Sequence, residues 1–466
     1  MRNETYNVLD FGAKADGITI DSPAVQKAID ECSKNGGGTV FFPRGIYVLA
    51  TVFLKDNVHI KFEDETDILG APSYYDYEPQ EEIDFHAYQD PSHTYFNHAM
   101  FVGINLKNIS ITGHGIIDMR SVWDEDNVRG LVHRGPKCVS LKECDNVVIS
   151  DFELYNATDL AVYFTGCNNV DVHGLKLRVY IDGISPDNSK NVRIYDCDVE
   201  AGDDGMVFKS SYNMNRIDIC KDIKVYNCRI KSGCSAIKFG TETNGGFEDI
   251  EIDNIYVCDT RITAIAIESV DGAIIDGITI KNVKIKNANG LLFVFLGDRM
   301  RGPEGRKIGS ISNVTLENIT ADGPYVPYPV VPTFYTHYRN MDWYQFPWVF
   351  DPMKNRETDY EFLKNGASSP WQLSSNMCGL PGNPIRNLTL RNIHLRVNGG
   401  VKEYIREVPE EPERKYPEIM VYGWTLPAKG IYFRHVENLT LDNVTVDSFY
   451  PDAREDFVFD DCTGNF

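Results

Sequence analysis

The sequence predicts an all-β protein, a parallel β-solenoid, and three observations carry that prediction. The first is a returning motif: Asn, Asp or Gly, then an aliphatic residue, one residue more, and a second aliphatic. It stands at Asn108, Asn146, Asn169, Asn191, Asp222, Asp249, Gly277, Asn313, Asn387 and Asn438. The second is its spacing. From 146 to 169 to 191 the steps are 23 and 22 residues, and on to 222, 249 and 277 they are 31, 27 and 28. Periods of this length with two-residue alternation indicate one solenoid turn per repeat, with every second side chain stacked inside. The third is a single amphipathic helix ahead of the strand array, as suits a cap over the open end of a stack. An antiparallel sandwich would need hairpin signals such as Asn-Gly between strands, and a βα solenoid a helix in each repeat.

Taken in order, the chain opens with a short strand and turn at 6–13. A helix then starts at Asp21-Ser22-Pro23, with Asp21 or Ser22 as capping side chain and proline in the first turn. Val25, Ala28, Ile29 and Cys32 share one apolar face, and Gly36-Gly37-Gly38 ends the helix. Short strands follow at 39–42 and 58–62. Two segments interrupt the period. Residues 73–100 are rich in Tyr, His and acids, and 321–384 carries fourteen aromatic or histidine positions from Tyr325 to Trp371. Insertions of this length are functional or disordered, and their aromatic content speaks against disorder. They are expected to serve partly as walls of a sugar cleft and partly as a satellite core. Residues 430–444 form one more turn, and 450–461 closes the stack.

A length of 466 residues suggests two or three domains. A fold that grows along an axis escapes that prior, so 1–466 is expected to be one domain, with its cap over 1–70 and a long insertion over 320–384. The net charge of −22 disfavours nucleic acid or an anionic membrane as partner, and mildly disfavours a polyanionic substrate. The 11 cysteines are odd in number and form no CxxC pair. Cys197, Cys228 and Cys258 recur at equivalent places, which marks small apolar core residues rather than a disulfide framework. No metal-ligand spacing is present. No apolar leader opens the chain and no run is long enough to span a bilayer. A cytoplasmic location is expected, or a secreted or periplasmic one if a leader has been removed.

The candidate chemistry lies in 180–268. Tyr180-Ile-Asp182-Gly-Ile184, Gly202-Asp203-Asp204-Gly205, Gly233-Cys234-Ser235 through Glu242, and Thr263 through Glu268 read as neighbouring rungs. Asp182 and Asp203 are 21 residues apart, about one turn. Adjacent strands lie about 4.7–4.9 Å apart, so the register predicts that Asp182, Asp203 and Asp204 meet on one face. Crowded carboxylates raise one another's pKa, and a raised carboxyl can hold the proton that a general acid needs. One-step glycoside hydrolysis with inversion uses an acid and a base about 6.5–9.5 Å apart. Gly-Asp-Asp-Gly is also good turn chemistry; its phase with Asp182 favours the catalytic reading.

At this point the sequence resembles a known family. Residues 6–70 look like the N-terminal cap of the pectinase-type right-handed parallel β-helix proteins. Asp182-Gly183-Ile184 followed by Gly202-Asp203-Asp204 is similar to glycoside hydrolase family 28, the polygalacturonases and rhamnogalacturonases. The resemblance spans nearly the whole chain. It implies an inverting hydrolase with no cofactor, in which Asp203 is the general acid and Asp182 and Asp204 hold and deprotonate the attacking water. The family's galacturonan enzymes carry Gly-His-Gly on the next turn, where Gly233 is here followed by Cys234-Ser235. They then carry Arg-Ile-Lys, whose cations bind a galacturonate carboxylate, where this chain has Ala266-Ile267-Glu268. A carboxylated sugar there would meet repulsion of about 4 kcal/mol at an effective dielectric near 20. Plain polygalacturonate is therefore not the expected substrate. His114, in Gly113-His114-Gly115, lies about four turns too early to replace the histidine and reads as a turn.

Strand alternation adds the substrate-binding candidates. With Met206, Phe208, Ile237, Phe239, Ile265 and Ile267 inward, Lys209, Lys238 and Glu268 are expected to face the cleft. Lys238 and Glu268, on adjacent rungs, are expected to pair and grip sugar hydroxyls. Glu242 and Tyr180 complete the set. The expected partner is an oligosaccharide derived from pectin or a related plant glycan, attacked from one end. The alternatives are a non-catalytic carbohydrate-binding β-helix and, with less support, a polysaccharide lyase.

Overall fold

All ten residues that open the repeats lie in the left-handed region, at φ between +53° and +75°. An L-residue pays for that conformation, and Asn, Asp and Gly pay least, which is why these three types recur at the corner. The asparagines also bond to one another from rung to rung. Asn438 Nδ2 donates to Asn387 Oδ1 at 2.8 Å and Asn387 Nδ2 to Asn313 Oδ1 at 2.8 Å. A second ladder runs through Asn443, Asn392, Asn318 and Asn282.

The computed structural model describes residues 4–126, 134–322, 324–325, 372–403, 407–412, 414–423 and 425–466. The chain forms two compact units, Met1–Ala201 with Met206–Cys228, and Gly202–Gly205 with Arg229–Phe466.

The first unit is built from three columns of parallel strands. One column runs through Gly38–Phe42, Val58–Phe62, Lys107–Gly113, Asp145–Ser150, Asn168–His173 and Lys190–Tyr195. A second runs through Gly45–Leu49, Thr66–Gly70, Ile116–Asp118, Glu153–Tyr155, Lys176–Val179 and Asp198–Ala201. The third runs through Val52–Phe53, Ala99–Ile104, Lys137–Lys142, Val162–Thr165, Ile184–Asp187 and Met206–Ser210. Ile60, Ile111, Ile149, Val172, Ile194 and Val225 stand in register down the first column, none more than 1% exposed. Buried apolar area of this kind is the main stabilising term of the stack.

The helix α1, Ser22–Lys34, buries Val25, Ala28, Ile29 and Cys32 completely. Its cap differs from the expectation. Asp21 occupies the N-cap position without a capping hydrogen bond, because its carboxylate instead accepts from the backbone N–H groups of Lys14 and Ala15 at 2.6 and 3.2 Å. Ser22 likewise turns its hydroxyl to the Ala50 N–H at 2.8 Å. Gln26 pairs with both backbone groups of Phe53, satisfying an edge strand as a cap should. Within 73–100, Tyr77, His93, Phe96 and His98 are buried, and Phe96 stacks on Tyr163. This part of the insertion is a satellite core on the first unit.

In the second unit the strands are longer and bend around corners. Gly246–Ser269 pairs with Ile274–Leu296 along nearly its whole length. Ser310–Ala321, Ile385–Gly399, Ala428–Tyr450 and Glu455–Asn465 continue the stack. Ile250, Ile278, Val314 and Leu388 repeat the inner column. Ser375–Cys378, inside the segment expected to be an insertion, is a strand paired with Ile274–Leu296 and Ala428–Tyr450. The rest of the aromatic segment, 326–371, lies outside the described residues.

All eleven cysteines are free thiols, and nine are buried, as apolar core residues are. His114 is an exposed bend. No helix among the described residues is long and apolar enough to cross a membrane.

Candidate active site

Gly202–Gly205 brings Asp203 and Asp204 against the next rung of the second unit. Cys234 N–H donates to the Asp203 carbonyl at 3.2 Å, and Gly205 N–H to the Ser235 carbonyl at 2.9 Å. The approach is close enough that a Cβ on Gly205 would lie 2.4 Å from Ile230 Cγ2. Asp204 Oδ1 accepts from the Ser235 N–H at 3.0 Å, and its Oδ2 lies 3.6 Å from Lys238 Nζ. Asp204 is 5% exposed, whereas Asp203 beside it is half-buried. The turn thus presents one nearly buried carboxylate held by a backbone N–H and a second with partial exposure to solvent.

Lys238 does not pair with Glu268, contrary to the expectation, and neither faces open solvent, at 2% and 0% exposure. The lysine is taken by Glu418, whose Oε1 lies 2.8 Å from Nζ. Glu418 belongs to a segment that lies across the outer face of this sheet. Its neighbours Ile419, Val421, Tyr422 and Leu426 pack on Ala266, Phe293, Phe295, Cys378 and Tyr432, and the Asn376 amide donates to the Ile419 carbonyl at 2.8 Å. Covered by this strap, the surface that alternation exposes becomes an interior.

Three carboxylates and one ammonium therefore share a dry cluster, and they cannot all be ionised cheaply. Burial pushes Glu268 well above the usual carboxylate range; Lys238 opposes the rise, while Glu418 and Asp204 add to it. Neither oxygen of Glu268 has a hydrogen-bond partner among the described residues. Of the two glutamates, Glu268 is the one whose neutral form burial favours more strongly. Glu418 is also raised by burial, against the lowering effect of its bonded lysine. For Lys238 burial favours the neutral amine, but Asp204, Glu418 and Glu268 together outweigh it and hold the ammonium.

Asp203, Asp204 and Cys234 each offer a ligand atom within 4.8 Å of the others. The set suits a cation poorly. Lys238 already supplies positive charge at Asp204, and burial holds the Cys234 thiol well above its ordinary pKa.

Glu242 is 5% exposed and ion-paired with Arg301. Arg299 is clamped by Asp271, Nε to Oδ1 at 3.0 Å and Nη2 to Oδ2 at 2.6 Å. In the first unit, Asp182 precedes the strand Ile184–Asp187, 4% exposed, with Lys209 Nζ 3.9 Å from its Oδ2. Tyr180 is packed edge-on to Trp123 and accepts a hydrogen bond from Ser121 Oγ at 3.0 Å. Sequence reasoning missed Glu418, Arg299, Arg301 and Asp271. The one signal for the strap is the apolar run from Ile419 to Tyr422 in a segment without the repeat motif.

A family model described as rhamnogalacturonase A/epimerase, pectate lyase-like, matches residues 5–260, more than half of the chain. The chain belongs to this family. A probable polygalacturonase of Vitis vinifera is 24% identical over 275 residues, 56% of each protein. An exo-poly-alpha-D-galacturonosidase of Dickeya chrysanthemi is 22% identical over 337 residues, covering 61% of this chain and 55% of that protein. The chain thus spans about half the length of the curated relatives it matches. Among solved structures, a hyperthermoactive exopolygalacturonase from Thermotoga maritima superposes with a TM-score of 0.65 at 18% identity, covering 85% of this chain and 88% of that one. A family 28 exopolygalacturonase of Yersinia enterocolitica gives 0.61 at 18% identity, covering 99% and 78%. The fold of this pectate lyase-like family member is accordingly the right-handed parallel β-helix, and the family-28 resemblance read from Asp182, Asp203 and Asp204 holds.

Proposed function

We propose that the chain is an inverting glycoside hydrolase that removes sugars from one end of pectin-derived or related plant oligosaccharides, and that plain polygalacturonate is not its substrate. Asp203 donates the proton to the leaving oxygen. Asp204, with Asp182 assigned to it by sequence register and family resemblance, holds and deprotonates the water. The observation that carries this reading is the contrast within Gly202–Gly205. Asp204 is fixed by the Ser235 N–H and faced by Lys238, while Asp203 keeps access to solvent. A base must be ionised and oriented and an acid must reach its leaving group, so this division suits the two roles. Lys209 and Lys238 supply counter-charge to Asp182 and Asp204. At the place where the resemblance expects two cations, Ala266 and Glu268 are buried and bring no positive charge, which supports a substrate other than plain polygalacturonate.

The test is a panel of defined pectic oligosaccharides digested with the wild type and with Asp203→Asn, followed by proton NMR. An inverted anomer that is absent from the variant digest is the expected result. An unsaturated uronate would make the chain a lyase. Binding without any product would leave a carbohydrate-binding solenoid.

A further inference from the structure

Lys238 and Glu242 lie on one strand, Ser235–Thr243. Four residues of strand span about 13 Å, so the groups around Glu242 meet a different sugar unit from the one at Asp204. Tyr416 of the strap joins the two places. It feels Lys238 and Glu418 on one side, and Glu242 and Arg299 on the other. Its hydroxyl is 3.4 Å from Thr241 Oγ1, and its half-buried ring lies 5.5 Å from the Arg299 guanidinium.

The charge at this second place has the sign that the chain as a whole lacks. Arg299, Arg301 and Arg306 converge on Glu242 and Asp271, which leaves positive charge in excess. Asp298 accepts from the Arg414 N–H at 3.0 Å, and that residue's own charge offsets it. The three arginines are held differently. Arg306 spends its donors on the Asn244 and Asp271 carbonyls, so no carboxylate is bonded to it. Arg299 is clamped by Asp271 and by the Thr241 carbonyl at 2.5 Å, yet its Nη1 is buried with no hydrogen-bond partner among the described residues. The Arg301 side chain is 34% exposed, and Glu242 is its one side-chain partner among the described residues. A buried unpaired donor beside a partly exposed guanidinium suits an oxyanion, and an arginine fork matches a carboxylate.

We propose that Arg301, backed by Arg299, sets specificity by binding the carboxylate of an acidic sugar away from the bond that is cut. This rests on the reading of the chain as a hydrolase acting at Asp203 and Asp204. Two observations then divide the substrate. No cation stands at Ala266 and Glu268, and cation is in excess at Arg301. The oligosaccharide that fits places a neutral sugar at the first and a uronate at the second. A chain of alternating neutral and acidic units can do so, and plain polygalacturonate cannot.

The test uses one oligosaccharide of alternating neutral sugar and uronate, as the free acid and as its methyl ester. Wild type, Arg301→Gln and Arg301→Lys are compared in kcat, KM and thermal midpoint. Wild type is expected to favour the free acid about ten-fold in kcat/KM, chiefly through KM, as one charge-assisted bond allows. Arg301→Gln should erase that preference by raising KM on the acid alone, and Arg301→Lys should recover part of it. Should Arg301→Gln fail to fold, the wild type decides by salt: from about 0.05 to 0.5 M, KM should rise for the acid and stay level for the ester. Equal kcat/KM of wild type on both forms overturns the proposal and leaves the hydrolase reading standing. So does a KM that rises equally on both forms in Arg301→Gln, or that ignores salt on both in wild type. Absence of turnover on every oligosaccharide overturns both readings.

Discussion

Gly240 lies directly against Glu268: a Cβ placed on Gly240 would stand 3.0 Å from Glu268 Oε2 and 3.3 Å from its Cβ. Gly240 also has φ +123°, where an L side chain is strained. The glycine is what lets a glutamate side chain fit between rungs at full burial. Gly240→Ala is expected to cost about 1–3 kcal/mol from overpacking and strain together. Urea denaturation checks it, and Gly464→Ala near the C-terminus offers a comparison where Glu268 is not involved.

Glu268 should make the protein less stable as pH rises. Its folded-state pKa is raised well above the unfolded value by burial, so above the unfolded pKa the native state binds the extra proton. Stability then falls with increasing pH, at most by about 1.4 kcal/mol per pH unit, until the folded pKa is passed. Glu268→Gln removes the titration. The variant should match the wild type near pH 4 and exceed it near pH 8, as read from denaturation midpoints at the two pH values. Equal stability differences at both would mean that Glu268 is ionised in the folded protein.

Asp187 in the first unit predicts a narrower window. Burial raises its carboxyl to about 6, against bonds from Ser211 and Tyr163 and the charge of Lys209. Tyr163 and Asn213 donate to one oxygen at 2.9 Å each, and the Ser211 N–H to the other at 2.9 Å. Because the folded pKa is above the unfolded one, its contribution is greatest below about pH 4 and is lost by about pH 6. The total is about 3 kcal/mol from the two-unit difference. Asp187→Asn should itself cost about 1–3 kcal/mol, since its amide cannot accept from both sides. The diagnostic is the slope: the stability of the variant relative to the wild type should rise from pH 4 to pH 6, reaching or passing the wild type, and stay constant above.

The asparagine ladder separates backbone strain from side-chain bonding at one position. Asn387 has φ +56° and bonds both Asn313 and Asn438. Asn387→Gly keeps the tolerance of φ and loses the bonds, at about 1 kcal/mol. Asn387→Ala loses both, and should cost about 1–2 kcal/mol more. Equal costs for the two variants would assign the whole preference for asparagine to its hydrogen bonds.

How far the sequence could be read follows from where each interaction lies. Asn146, Asn169 and Asn191 open rungs whose partners are about one period away, so spacing alone placed them, and the observed registers follow those steps. Asp21 was misjudged because its carboxylate had a competing pair of N–H donors only six and seven residues back, in a turn that no pattern announces. Lys238 and Glu268 are expected at a cleft because alternation tells which face a side chain takes and nothing about what covers that face.

The amino-acid order by itself determined the solenoid, its corners and the run of acids at Gly202–Gly205, since these depend on contacts one turn apart and repeat often enough to be counted. Only the tertiary structure decided the state of the charges around them. Glu418 arrives once, from 180 residues away, and a single long-range contact leaves no period behind it. Yet that one carboxylate takes up Lys238, and its segment covers a face that strand alternation alone would leave open.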